Sequence, residues 1–322
     1  MERQNGMHKL IVGCGYLGRR VARAWLSEGH RVSALTRSIT RAGELADQGI
    51  IPIVGDICEP ATLMALPAAD TVLFAIGFDR SAGRSQRAVY VDGLNSVLQR
   101  VAARTQRFIY ISSSSVYGQS AGEWVDETSP CQPVQVGGEC CLAAEELVQA
   151  SFPISVSNDA PNDAPNDLLI GGPSCNILRL SGIYGPDRLL SRVAALRAGE
   201  PIAGRGDAWL NLIQVDDAVL AVRACEAHGR PGRTYLVSDD APIQRGEYYR
   251  LLARLTGSPA PTFRPDAAPS RGSGGINKRC SNRRLREELG LSLAYPTISV
   301  GLPHAIESSA ASPLAPAAVP PG

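Results

Sequence analysis

The chain has 322 residues, 32 basic against 31 acidic side chains for a net charge of +1, and 44% hydrophobic content. That balance excludes a general electrostatic footprint for nucleic acid or an anionic membrane surface. The length suits one large domain, or a main domain with a smaller lobe. No apolar run reaches the roughly 18 residues of a membrane span, and the polar stretch Met1 to Leu10 lacks a signal-peptide core, so the expectation is a cytoplasmic protein. Eight scattered cysteines without a C-x-x-C pair, and four unclustered histidines, argue against a disulfide framework and against a metal site. Only two of the basic residues are lysines, Lys9 and Lys278.

Short apolar runs alternate with amphipathic segments over the first 180 residues, the pattern of βαβ units and a parallel sheet. Lys9–Val12 predicts a strand, then a Gly-rich turn and a helix from Leu17 to Ser27, which Gly29 ends. Arg31–Leu35 reads as strand two, Arg41–Gln48 as a helix and Ile50–Val54 as strand three. Thr71–Phe74 gives strand four, Ala88–Arg104 a long helix, and Arg107–Ile111 strand five. A helix over Glu139–Ala150 and a sixth strand, Asn176–Leu180, follow. Strands apolar at nearly every position argue for burial on both faces, hence an α/β, Rossmann-like doubly wound parallel sheet over residues 7–180. Between the last two elements, Asn158–Asp167 reads NDAPNDAPND, a tandem of turn formers expected as an exposed loop. Beyond residue 180, helical patterns at Leu189–Ala198, Asp216–Ala227, Gly246–Leu255 and Asn282–Leu289 suit a smaller C-terminal substrate lobe over 181–305. Residues 212–240 are expected to return to the sheet, and 306–322 to form a disordered tail.

Gly13-Cys14-Gly15-Tyr16-Leu17-Gly18 is a G-x-G-x-x-G placed between a strand and a helix, the context that gives this motif meaning. Gly13 permits the tight turn, Gly15 lets backbone approach a pyrophosphate, and Gly18 allows close helix–strand packing, while Tyr16 and Leu17 open the helix whose N–H groups face phosphate. An NAD site usually ends strand two with a carboxylate for the ribose 2′-hydroxyl. Here the stretch is Thr36-Arg37-Ser38, so the reading is NADP, with Arg37 on the 2′-phosphate, and NAD as the alternative. A solvated arginine is the bland reading of the same residue. Asp56 and Ile57 follow strand three, where a carboxylate either accepts from an adenine amine or caps a helix. Ala75, Ile76 and Gly77 follow strand four, where small residues let a cofactor pass close to backbone.

With these residues in view, the chain resembles the extended short-chain dehydrogenase/reductases, the NAD-dependent epimerase/dehydratase family. The likeness covers nearly all of residues 8–303. It rests on Ser112-Ser113-Ser114-Ser115-Val116-Tyr117-Gly118, on Asp126-Glu127-Thr128 with Pro133, on Leu178-Arg179 through Tyr184-Gly185-Pro186, and on Ile213-Gln214-Val215-Asp216-Asp217. The resemblance implies Ser113 as the residue that positions a substrate hydroxyl or carbonyl. It also implies a Tyr-x-x-x-Lys dyad for acid/base work, but Gly137 and Cys141 stand in its two places and no Tyr-x-x-x-Lys occurs anywhere. Substitutes within reach are Tyr117, Tyr184, Glu139 and Cys141, and Ser113 with Tyr117 form the candidate catalytic set. The stretch Asn277 to Leu285 resembles the ending of an atypical group of this superfamily that keeps the cofactor fold and departs from the usual site. There Lys278 and Arg279 contact an anionic substrate or anchor the loop. The expected function is an NADP-dependent oxidoreductase or epimerase-like enzyme with a non-standard acid/base, acting on a small molecule. The alternative is a dinucleotide-binding protein without catalysis. Relatives often pair through the two helices near Ala88–Arg104 and Glu139–Ala150, the second of which is altered here at its start; a homodimer is one candidate assembly and the oligomeric state stays open.

Overall fold

The computed structural model describes residues 6–153, 172–188, 190–265 and 275–311. The first half builds β1 (His8–Val12), α1 (Tyr16–Ser27), β2 (Arg31–Thr36), α2 (Ile39–Ala46), β3 (Ile51–Val54), β4 (Ala69–Phe74), α3 (Gly93–Val101), β5 (Thr105–Ser113), β6 (Glu123–Val125) and α4 (Val136–Ser151). Then come β7 (Ser174–Leu180), β8 (Gly182–Tyr184), α5 (Leu190–Arg197), β9 (Ile202–Ala203), β10 (Trp209–Leu210), β11 (Leu212–Gln214), α6 (Val215–His228) and β12 (Thr234–Val237). The chain ends in β13 (Ile243–Gln244), α7 (Arg245–Thr256), β14 (Phe263–Arg264), β15 (Lys278–Cys280), α8 (Arg283–Leu289) and α9 (Ile298–Ala311).

Seven strands pair in parallel in the order β12-β7-β5-β4-β1-β2-β3. Parallel neighbours need crossovers, and the crossover helices cover both faces. On one face α1, α6 and α8 bury Val21, Trp25, Ala221 and Leu285 against Ile11, Leu73 and Ile109. On the other, α3 and α4 bury Leu94, Val97, Ala144 and Val148 against Leu10, Val72 and Phe108. Each of the Val, Leu, Ile and Phe side chains among these contributes about 1.5–3 kcal/mol of burial, so the alternation of apolar runs in the sequence is itself the reason for the sheet. The strand order reverses between β1 and β4, and the crevice outside their C-terminal ends is where open α/β sheets take ligands.

β12 joins the sheet edge beside β7, while β11 pairs with β8 in a separate two-stranded sheet. The smaller lobe packs Tyr184, Leu212, Tyr248, Leu252, Ile298 and Leu302 into a core of its own. One expectation needs correction. The proposed tail begins inside α9, which runs to Ala311 and buries Leu302 and Ala305 completely. Gly301 and Pro303 within it mask the helical pattern in the sequence. The tandem tetrapeptide Asn158–Asp167 and the residues after 311 lie outside the described residues. No helix among the described residues is long and apolar enough to cross a membrane.

Candidate functional site

The G-x-G-x-x-G turn links β1 to α1, and each glycine there has its own physical reason. Gly13 has φ +104°, and a Cβ on it would lie 2.5 Å from the Ala75 carbonyl carbon. A Cβ on Gly18 would come within 2.4 Å of the Gly13 oxygen, so that glycine lets α1 pack on the turn. Around Gly15 nothing stands within 4 Å, which leaves the backbone open to a guest. No side chain caps α1 and no acidic residue sits in its first turn, so its leading N–H groups and the positive end of its dipole face the crevice uncontested. The Leu17 side chain is buried. Tyr16 instead crosses to the other motif, its hydroxyl donating to Pro186 O at 2.8 Å, between the guanidinium groups of Arg20 and Arg188.

Gly13, Gly15, Arg37, Asp56, Ile57, Ala75, Ile76 and Gly77 all line one cleft of about 520 Å³. The structure brings in residues that the sequence reading does not single out: Ser38, Arg41, Cys58, Asp79 and Arg84. Ser38 caps α2 by accepting from Arg41 N, which turns Arg41 back toward the glycine turn, where Nη2 donates to Cys14 O at 3.3 Å. Arg37, half exposed, pairs with Asp79 at 3.3 Å. Asp56 accepts from Cys58 N at 2.9 Å and closes its own turn; it lines the cleft and caps no α-helix. A larger cavity of about 1070 Å³ lies at the opposite, N-terminal ends of the strands, between Lys9, Thr71 and Arg107, and contains none of these residues.

Ser113 ends β5, and its Oγ accepts from Ser115 N at 3.1 Å, half buried at the C-terminal edge of the sheet. Tyr117 is placed elsewhere. It is fully buried, and its hydroxyl accepts from Arg179 Nη1 at 2.7 Å, with burial raising its pKa further. That placement takes Tyr117 out of the candidate acid/base set, a correction to the sequence reading. Tyr184 is equally buried, its hydroxyl against the backbone of Gly301, and Glu139 is exposed to solvent. Burial pushes the Cys141 thiol up to about 12, so it is no base near neutral pH. A Cβ on Gly137 would meet Gln86 Nε2 at 3.2 Å, so the Gln86 amide borders the place that a dyad tyrosine would fill.

Behind Ser113 lies a network the sequence reading misses. Glu145 of α4 accepts from Ser112 Oγ and from Arg179 at both Nε and Nη2, and Arg179 holds Tyr117. All four residues are buried. The available signal is Arg179 itself, a charge within the apolar strand NILRL that has to find a partner. On the other side of Tyr117, Lys278 is buried and donates to its carbonyl oxygen at 2.7 Å. Arg279 donates to Gly122 O and lies between the rings of Trp124 and Trp209. Of the two readings of this pair, anchoring is the one the contacts support, and β15 pairs with β6 accordingly.

Residues 10–157 match the model of the NAD dependent epimerase/dehydratase family. Over 292 residues the chain is 28% identical to protein YeeZ of Escherichia coli K12, across 89% of this chain and 95% of that one. It is 27% identical over 274 residues to short-chain dehydrogenase/reductase family 42E member 1 of Macaca fascicularis, across 78% and 68% of the two chains. A solved structure of a functionally unknown conserved protein from Silicibacter pomeroyi superposes with a TM-score of 0.71 at 28% identity, covering 95% of this chain and 99% of that one. With the glycine turn, the strand order and the altered α4 in view, residues 10–157 match the NAD dependent epimerase/dehydratase domain, and the chain as a whole is similar to extended short-chain dehydrogenase/reductases.

Proposed function

We propose that the chain binds NADP in the 520 Å³ cleft and acts, as a cytoplasmic enzyme, on a hydroxyl- or carbonyl-bearing small molecule at the C-terminal ends of β5 and β7. The observation that carries this reading is the mouth of the cleft. An open glycine turn adjoins Arg37, Ser38 and Arg41; the end of β2 carries no carboxylate of its own, and Asp79 in the same cleft is paired with Arg37. Bound there, the nicotinamide supplies a hydride acceptor or donor. Ser113, whose oxygen already accepts from Ser115 N, keeps its hydroxyl proton for a substrate oxygen. Gln86 beside Gly137 can orient a substrate by hydrogen bonds, but an amide does not exchange a proton at neutral pH. General acid–base help is worth about 10²–10⁴ in rate, so turnover is expected to be slow or to draw its proton from water. A homodimer through α3 and α4 belongs to the same proposal.

Gly137 and Cys141 favour a second reading, cofactor binding without turnover. Thermal shift with NADPH and NADH in parallel separates the possibilities. At 100 times its Kd a ligand stabilises by about 2.7 kcal/mol. The expected result is a clear rise in Tm with NADPH and a smaller one with NADH. No rise with either would overturn cofactor binding altogether. A rise without consumption of NADPH across a panel of carbonyl compounds would favour the second reading.

A further inference from the structure

Asp239 lies two residues after the end of β12 and is 2% exposed. Among the described residues no lysine, arginine or histidine pairs with it, and neither carboxyl oxygen has a hydrogen bond of ordinary geometry. A buried carboxylate without a cation is costly, whereas a buried neutral carboxyl is tolerable. Burial, followed by the charges of Asp240 and Asp217, pushes its pKa up to about 8, with only the Ala241 N–H favouring the ionised form more strongly than those charges oppose it.

The groups around it come from every neighbouring element. From α6, Asp217 is fully buried and accepts from the N–H groups of Ala294 and Tyr295 at 2.7 and 2.9 Å. Asp240 holds Asn282 and Arg286, and its own N–H donates to Pro296 O. From β8 comes Tyr184, its hydroxyl unpaired against Gly301 of α9. From β15, Cys280 lies near enough for the charge of Asp239 to act on its thiol. Tyr295 stacks on His304 of α9 at 4.8 Å. The strap 294–296, which leads into α9, is thus hung by its backbone from the two aspartates that adjoin Asp239.

We propose that Asp239 is a proton-held latch between the sheet and the C-terminal lobe: with its proton on, the strap 294–296 and α9 dock, and the lobe opens by releasing that proton. Opening exposes the carboxyl to water, where it ionises at ordinary carboxylate pH. The open state therefore binds fewer protons than the docked one, and docking weakens as pH rises until the docked form has itself ionised. The inference concerns the lobe and stands apart from the cofactor proposal.

Hydrogen exchange of the full chain by mass spectrometry, without cofactor, at pH 5.5 to 9 and corrected for the intrinsic rate, tests it. Opening of 294–311 is expected to rise between pH 6 and 8 by up to about tenfold per unit, then level off, while β1 and α1 stay protected. Asp239→Asn, or Asp239→Ser if the first fails to fold, is expected to flatten the profile, and His304→Phe to leave it unchanged. No segment-specific rise, an equal rise over β1 and α1, the same rise in the Asp239 variants, or a flat profile in His304→Phe would each overturn the latch.

Discussion

Glu145→Ala is expected to lose about 3–5 kcal/mol of stability, because removing one partner of a buried ion pair leaves the other charge uncompensated. Arg179 would lose contacts at 3.0, 3.2 and 2.6 Å with no water to replace them, and Ser112 would lose its acceptor. Urea unfolding reads this as a lower midpoint with an unchanged slope. The double change Glu145→Met with Arg179→Met is expected to cost less than the single change, since an apolar pair of similar volume often matches a buried ion pair. A cost below about 1 kcal/mol for the single change, in the range of an exposed ion pair, would mean that the network does not lock α4 to β5. The effect bears on the site because Ser112, adjacent to Ser113, hangs from the same carboxylate.

The double substitution Arg37→Ala with Arg41→Ala is expected to weaken NADPH by about 10- to 100-fold and to leave NADH nearly unchanged. Hydrogen bonds to charged groups contribute about 1.5–3 kcal/mol each. Arg37 is half exposed and already paired with Asp79, so its share is at the low end. Raised salt should shrink the difference between the cofactors for the same reason. Titration calorimetry with both nucleotides gives the answer. Equal weakening of the two would place the arginines on the shared pyrophosphate and remove the argument for a 2′-phosphate.

Much of the sheet is legible in the sequence because a parallel strand buried on both faces has to be apolar throughout, as Leu10–Val12 and Val72–Phe74 are. The glycine turn is legible for a local reason: Gly13 is held at φ +104°, and Gly18 is forced by its contact with the Gly13 oxygen five residues back. What spacing does not report is pairing between distant segments. Nothing local joins Glu145 to Arg179, or β15 to β6, and Ser38 turns Arg41 toward Cys14 only once α2 is capped. Tyr117 misleads because its motif sits next to Ser113 in the chain, while the strand end sends the two side chains to different sides. Asp239 looks like an ordinary turn residue in Val237-Ser238-Asp239-Asp240, and only the folded structure shows it buried.

Both lysines are buried, Lys9 at 1% exposure against Glu226 and Thr71, and Lys278 at 5%. The rest of the positive charge is arginine, whose guanidinium does not give up its proton. Amine chemistry therefore finds no side chain on the folded surface. Acetyl transfer, conjugation of modifier proteins through an isopeptide bond, and amine-directed crosslinkers all need an accessible primary amine. A short treatment with an N-hydroxysuccinimide acetate is expected to modify neither lysine in the native protein and both after unfolding, as peptide mass spectrometry would read. The ratio of the two at Lys278 then becomes a chemical gauge of how often β15 leaves β6.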